Sequence, residues 1–191
     1  MFKEIEKDRI FYEDSGGGVT FSGGESLLQA DFLLQILQLC RIREIHTAVD
    51  TSGYAPREDL LAIGDCTDLM LYDLKIMDDR MHREYTGVSN RTILDNLVAL
   101  GKIHHNIWIR IPIVPGVNDS PENLIATAQF LAANVQVRLV NLLPYHDTGM
   151  HKLPRLDRPN LLGEVARPTL ESLGQAADHF TKLGLKVKIG G

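Results

Sequence analysis

Short apolar runs suited to strands alternate along the chain with longer segments of helical periodicity, and this alternation limits the fold more than any other feature. Val19-Thr20-Phe21-Ser22 reads as a strand directly after the glycine triplet Gly16–Gly18. About Leu27 to Arg43 reads as a helix, with Ala30, Leu33, Leu34 and Leu37 on one face. Further strands are expected at Ile45–Val49, Leu69–Leu74, Ile107–Val114, Val135–Leu143 and Leu185–Ile189. Helices are expected at Phe2–Ile10, Arg57–Ile63, Thr92–His104 and Pro168–Leu183, and after Ser120-Pro121-Glu122. That last triplet is a capping serine, a proline in the first turn and an acid; Asn90 is a candidate cap for the helix that follows it. Strand–helix alternation predicts an α/β fold with a parallel sheet and helices outside. It leaves open a doubly wound sheet or a closed or partial βα barrel.

The polar residues bear on that choice. Gly23, Gly24 and Glu25 follow the first strand, and Asp50 ends the second. Asp73 and Lys75 end the third, Arg110 lies within the fourth, and Tyr145 and His146 follow the fifth. In a parallel βα array these strand ends share one rim. Strand alternation places Leu69, Leu71, Asp73 and Lys75 on one face, and Trp108, Arg110 and Pro112 on one face. Buried charge requires a partner or a ligand, and a ligand bearing both an amine and a carboxylate suits this mixture of acids and bases.

Each position also has a purely structural reading. Gly23-Gly24 can be a strand-to-helix turn, Asp50 a turn cap through Thr51 and Ser52, and Asp73 with Lys75 an ion pair. Arg110 can neutralise a carboxylate, and His146 can be a surface loop residue. Cys40 reads as a core residue, Cys66 as a buried small apolar one, and His104-His105 as a solvated helix end.

Composition narrows the functional classes. The 191 residues are 44% hydrophobic, which suits one domain, 1–191, with one core. Net charge is −5 with acids and bases interspersed, so no nucleic-acid partner is expected. No apolar run reaches the roughly 20 residues of a membrane span, and no membrane association is expected. Two distant cysteines fit a reduced, cytoplasmic protein.

The ordered segments carry a resemblance. Ser15 to Glu25 (SGGGVTFSGGE) resembles the signature of glycyl radical enzyme activating enzymes, typified by the pyruvate formate-lyase activating enzyme. So do Asp50-Thr51-Ser52-Gly53-Tyr54, Tyr72-Asp73-Leu74-Lys75, Gly87-Val88-Ser89-Asn90, Trp108-Ile109-Arg110-Ile111-Pro112 and Leu142-Leu143-Pro144-Tyr145-His146. The closing Gly184 to Gly191 is similar to the family's C-terminus.

The resemblance implies a partial (β/α)₆ barrel of the radical S-adenosylmethionine (SAM) type, binding SAM at the strand C-terminal rim. By position, Gly23, Gly24 and Glu25 match the motif that receives the amino group of SAM. Asp73 and Lys75 match contacts to its ribose and carboxylate regions, and Arg110 and His146 further pocket residues. Asp50 and Thr51, with Asp73, match a monovalent-cation site. In the family a [4Fe–4S] cluster cleaves SAM reductively, and the resulting radical takes a hydrogen atom from a glycine of a partner enzyme such as pyruvate formate-lyase. An external donor such as flavodoxin supplies the electron.

Two positions depart from the pattern. Ser26 stands where the family usually has proline or another small residue, a mild departure. More consequentially, no CxxxCxxC occurs, and Cys40 and Cys66 cannot supply the thiolates of such a cluster. The chain is therefore expected to lack the first strand and cluster loop of the barrel, to hold a cluster only in the full-length protein, and to be inactive as it stands. The alternatives are a βα-barrel aldolase with Lys75 as Schiff base, or a non-catalytic SAM- or partner-binding module.

Overall fold

A computed structural model describes residues 1–145 and 166–190. The strands are β1 (Gly18–Phe21), β2 (His46–Thr51), β3 (Leu69–Asp73), β4 (Ile107–Ile113), β5 (Leu139–Pro144) and β6 (Val187–Ile189). The helices are α1 (Phe2–Lys7), α2 (Arg9–Ser15), α3 (Ala30–Ile42), α4 (Arg57–Asp65), α5 (Asp79–Thr86), α6 (Arg91–Leu100), α7 (Pro121–Asn134) and α8 (Leu170–Thr181). The sheet order is β1-β2-β3-β4-β5-β6, without the reversal of a doubly wound sheet. This is the expected α/β class, the open parallel sheet of a partial βα barrel.

Alternating burial along β3 and β4 follows the two-residue period read from the sequence. Ile107, Ile109, Ile111 and Ile113 are buried, while Trp108, Arg110 and Pro112 between them are half-buried. On α3 the buried set Leu33, Ile36, Leu37 and Cys40 recurs at three- and four-residue spacing, the stripe that docks a surface helix.

The chain forms two compact units. The first comprises Met1–Asp73, Arg91–Ile109 and Val135–Arg138, with Leu37, Val49, Leu60, Met70, Leu97 and Ile107 in its core. The second comprises Leu74–Asn90, Arg110–Asn134 and the chain from Leu139 onward, with Leu74, Ile111, Ile113, Leu142 and Phe180 in its core.

Several boundaries differ from expectation. The N-terminal helix breaks at Asp8 into α1 and α2. The helix expected from Leu27 opens instead as a 3-10 turn, Ser26–Gln29, because the Glu25 carboxylate accepts from Leu27 N and caps it. Helix α6 stops at Leu100 rather than His104. Strand β5 begins at Leu139, since Val135 is buried where the chain leaves α7. Helix α5 was not anticipated; it is short and polar, and Asp78 caps it by accepting from Met81 N at 2.8 Å. The cap at Ser120 is as expected, its hydroxyl accepting from Asn123 N at 3.2 Å.

Candidate functional site

The sequence placed its site at the C-terminal ends of the strands. In the first unit, Glu25 organises that edge. The chain leaves β1, turns through Gly23 (φ 96°) and Gly24 (φ 57°), and reaches Glu25. Both glycines occupy the left-handed region that other residues enter at a cost, and a Cβ on either would meet nothing within 4 Å. Backbone conformation, not crowding, therefore demands glycine here.

Glu25 reaches across to the end of β2. Its Oε1 accepts from Thr51 Oγ1 at 2.6 Å, and its Oε2 from Ser52 N at 2.9 Å and Ser52 Oγ at 2.5 Å. Ser26 Oγ adds a bond to the Asp50 carbonyl at 2.8 Å. Both oxygens of Glu25 are thus engaged by the protein, and the carboxylate fixes the Gly23-Gly24 turn to β2. Ser26 thus makes a second link between the turn and β2.

The loop after β2 is held from below. Gly53 N donates to Thr51 Oγ1 at 2.8 Å, and Asn96 Nδ2 donates to the Gly53 and Ala55 carbonyls at 2.9 Å each. Tyr72 lies fully buried under Gly53 and donates its hydroxyl to the Ile93 carbonyl at 2.7 Å. Burial pushes the Tyr72 phenol far above its usual range. A cavity of about 290 Å³ adjoins the turn, lined in part by Phe21, Gly23, Glu25, Phe32 and Leu33.

Asp50 lies in β2, half-buried, and Asp73 is the last residue of β3. In register, Asp50 lies opposite Leu71 and Thr51 opposite Tyr72, so Asp73 stands one step past the paired segment. Among the described residues, no group of three or more His, Cys, Asp or Glu side chains is placed to hold a metal ion. The Thr51 hydroxyl of the expected cation site is donated to Glu25.

In the second unit, Lys75 follows β3 and Arg110 sits in β4, both half-buried. The Arg110 carbonyl accepts from Leu74 N at 2.9 Å, which aligns the two segments. The Lys75 carbonyl accepts from Asn118 Nδ2 at 2.9 Å. His146 lies outside the described residues.

Sequence reasoning missed Asn96, Asn118 and Asn123, and read Asn90 only as a helix cap. Asn90, Asn96, Asn118 and Asn123 all use side-chain amides on backbone groups. For Asn118 the available signal was its place in the turn Gly116-Val117-Asn118-Asp119; Asn96 and Asn123 lie within α6 and α7, where no turn residue marks them. Two further readings need correction. His104 is buried at 8% exposure and not solvated: Asn106 N donates to its Nδ1 at 3.3 Å, and desolvation lowers its pKa. Cys66 is half-buried rather than buried, whereas Cys40 is in the core as expected, and burial pushes its thiol up.

The sequence profile of the radical SAM superfamily matches residues 2–128. This chain belongs to the radical SAM superfamily. Its relatives within it are activating enzymes, the class of the glycyl radical enzyme activases. The chain is 43% identical to the trans-4-hydroxy-L-proline dehydratase activating enzyme of Clostridioides difficile, covering 100% of this chain and 64% of that protein. It is 35% identical to the pyruvate formate-lyase 1-activating enzyme of Escherichia coli K12, covering 98% and 77% respectively. The crystal structure of a domain of the pyruvate-formate lyase-activating enzyme from Bacteroides vulgatus superposes with a TM-score of 0.78 at 37% identity, over 92% of this chain and 99% of that one. The chain spans 64% of the length of the C. difficile relative and 61% of the (2S)-3-sulfopropanediol dehydratase activating enzyme of Klebsiella oxytoca. Family membership displaces the aldolase reading of Lys75. No helix among the described residues is long and apolar enough to cross a membrane.

Proposed function

We propose that this chain is the SAM-binding part of a glycyl radical enzyme activase that acts on a pyruvate formate-lyase-like partner in the cytoplasm, with an external donor such as flavodoxin. The observation that supports it most is the Glu25 latch. It consumes a carboxylate to hold a two-glycine turn in left-handed conformation beside a cavity, leaving backbone groups at the strand end to meet a ligand.

The donor set suits SAM. Carbonyls of Gly23 and Gly24 and the carboxylates of Asp50 and Asp73 can accept from its ammonium and ribose hydroxyls. Lys75 and Arg110 supply the cations for its carboxylate, and His146 completes the set. Asp50, Thr51 and Asp73 are the oxygens that a monovalent cation would use. In the family, SAM and a [4Fe–4S] cluster together supply one-electron cleavage of a carbon–sulfur bond. The cluster does not fit the cysteines of this chain: Cys40 is buried in α3 and Cys66 follows α4, so three thiolates on one loop are not available. The role of these 191 residues is to bind and orient SAM.

Equilibrium dialysis of the chain against SAM tests this reading, with Asp73→Ala and Arg110→Ala as comparisons. Retention of SAM that falls in both variants is expected, along with no 5′-deoxyadenosine after anaerobic incubation with iron, sulfide and dithionite. Equal retention by all three proteins, or robust 5′-deoxyadenosine production, would overturn it.

A further inference from the structure

The stretch Lys75–Met77 belongs to neither β3 nor α5, yet each of its carbonyls is bound by an asparagine amide. Asn118 Nδ2 donates to Lys75 O at 2.9 Å. Asn90 Nδ2 donates to Ile76 O at 3.1 Å and Met77 O at 2.7 Å. Asn123 Oδ1 accepts from Met77 N at 2.8 Å, and its Nδ2 donates to Asn118 O at 2.8 Å. The central residue is Asn118, buried at 2% exposure. Besides Lys75 O, its Nδ2 donates to Pro112 O at 2.7 Å, and its Oδ1 accepts from Val114 N at 2.8 Å.

One primary amide therefore ties the segment leaving β3 to β4 and to the turn that follows it. The geometry requires both amide hydrogens, because the two partners are carbonyls from different segments. A carboxylate would face them with lone pairs, and an apolar group would leave two part-buried acceptors unpaired. Simple turn closure needs only the Val114 and Pro112 bonds. The bond to Lys75 O does something else: it fixes the backbone from which a proposed SAM-binding side chain projects.

We propose that Asn118 is a positioning residue for Lys75, setting where its ammonium meets the SAM carboxylate. This rests on the SAM-binding reading of Lys75 above.

A double-mutant cycle in SAM affinity separates this role from a merely structural one. The 191-residue chain, Lys75→Ala, Asn118→Asp and the double variant are dialysed against SAM up to millimolar concentration, well below each protein's unfolding midpoint. Asn118→Asp is expected to weaken SAM binding about tenfold, and in the Lys75→Ala background to change it less than twofold. A fold-only role would lower the unfolding midpoint without this non-additivity. If Asn118→Asp does not fold, Asn118→Ser, which keeps one donor, carries the same cycle with a smaller expected loss. Asn118 variants that bind as the parent does, or that weaken binding equally with and without Lys75, overturn the positioning role and leave the SAM reading standing. A parent chain that retains no SAM, or a Lys75→Ala variant that binds as the parent does, overturns the assignment of Lys75 and the positioning role with it.

Discussion

The sharpest stability prediction concerns Gly53→Ala. Gly53 has φ 73°, and a Cβ there would lie 1.7 Å from Tyr72 Oη and 2.1 Å from Cζ. Tyr72 has no exposed surface into which to retreat, and its hydroxyl is bonded to Ile93 O. Three costs follow from the one methyl group. A left-handed alanine costs about 1 kcal/mol, overpacking about 1–3 kcal/mol, and a displaced buried hydroxyl about 1–3 kcal/mol. They share a single displacement of the ring, so the total is set at about 4 kcal/mol rather than their sum. For a chain of this length that lowers the unfolding midpoint by roughly 8–16 °C. Urea denaturation followed by circular dichroism measures the difference. Gly23→Ala is the control, because its φ is 96° with open space around the new methyl, so only the conformational cost of about 1 kcal/mol applies. If Gly53→Ala is no more destabilising than Gly23→Ala, the steric argument fails.

Glu25→Gln removes the charge from a carboxylate bonded to Thr51, Ser52 and Leu27, and should destabilise the chain by about 2 kcal/mol in urea titrations; a loss under about 0.5 kcal/mol counts against the latch. The Asp79 carboxyl is held down to about 2 by the Ser89 hydroxyl first, with Arg83 and Asn90 N also lowering it. Its stabilising contribution is complete above the ordinary carboxylate range and disappears as pH falls towards 2. Asp79→Asn should therefore reduce stability at neutral pH and converge on the parent in acid; parallel curves would refute it. Burial lowers the His104 pKa below its usual 6.5, with His105 acting the same way and Asp68 against it. Stability should fall as pH drops below about 6.5, and His104→Gln should flatten that slope in pH-dependent denaturation.

The sheet was legible because short apolar runs such as Leu69–Tyr72 in β3 and the alternating Ile107–Ile113 in β4 stand between segments of helical period. The end of β1 was legible because its glycines and acid fall directly after the strand, though not the function of its parts. Glu25 reads in sequence as a ligand-side carboxylate. Its engagement with residues about 26 positions away is a tertiary fact that periodicity cannot carry. Helix α5 escaped notice since, of its eight residues, only His82 is buried, leaving no apolar stripe. His104 was misjudged because adjacent histidines suggest solvent, whereas the turn after α6 carries the ring inward, where a Cβ at Gly64 would stand 4.0 Å from its Cδ2. The asparagine bonds target backbone atoms, which have no sequence identity to recognise.

Bonds to the main chain leave the side chains of the bonded residues free to change as such a protein diversifies. The side chain of Asn118 recognises the main chain at positions 75, 112 and 114, and takes no notice of which residues occupy them. Lys75 and Met77, which are only half-buried, can therefore be exchanged in a lineage without altering the path of the chain, while Asn118 and the core residue Ile76 cannot. Saturation mutagenesis should find tolerance for folding at 75 and 77 beside strict constraint at 118 and an apolar requirement at 76. Side-chain identity at 75 and 77 and the geometry of the loop are encoded at separate positions, so one can drift under selection while the other stays fixed.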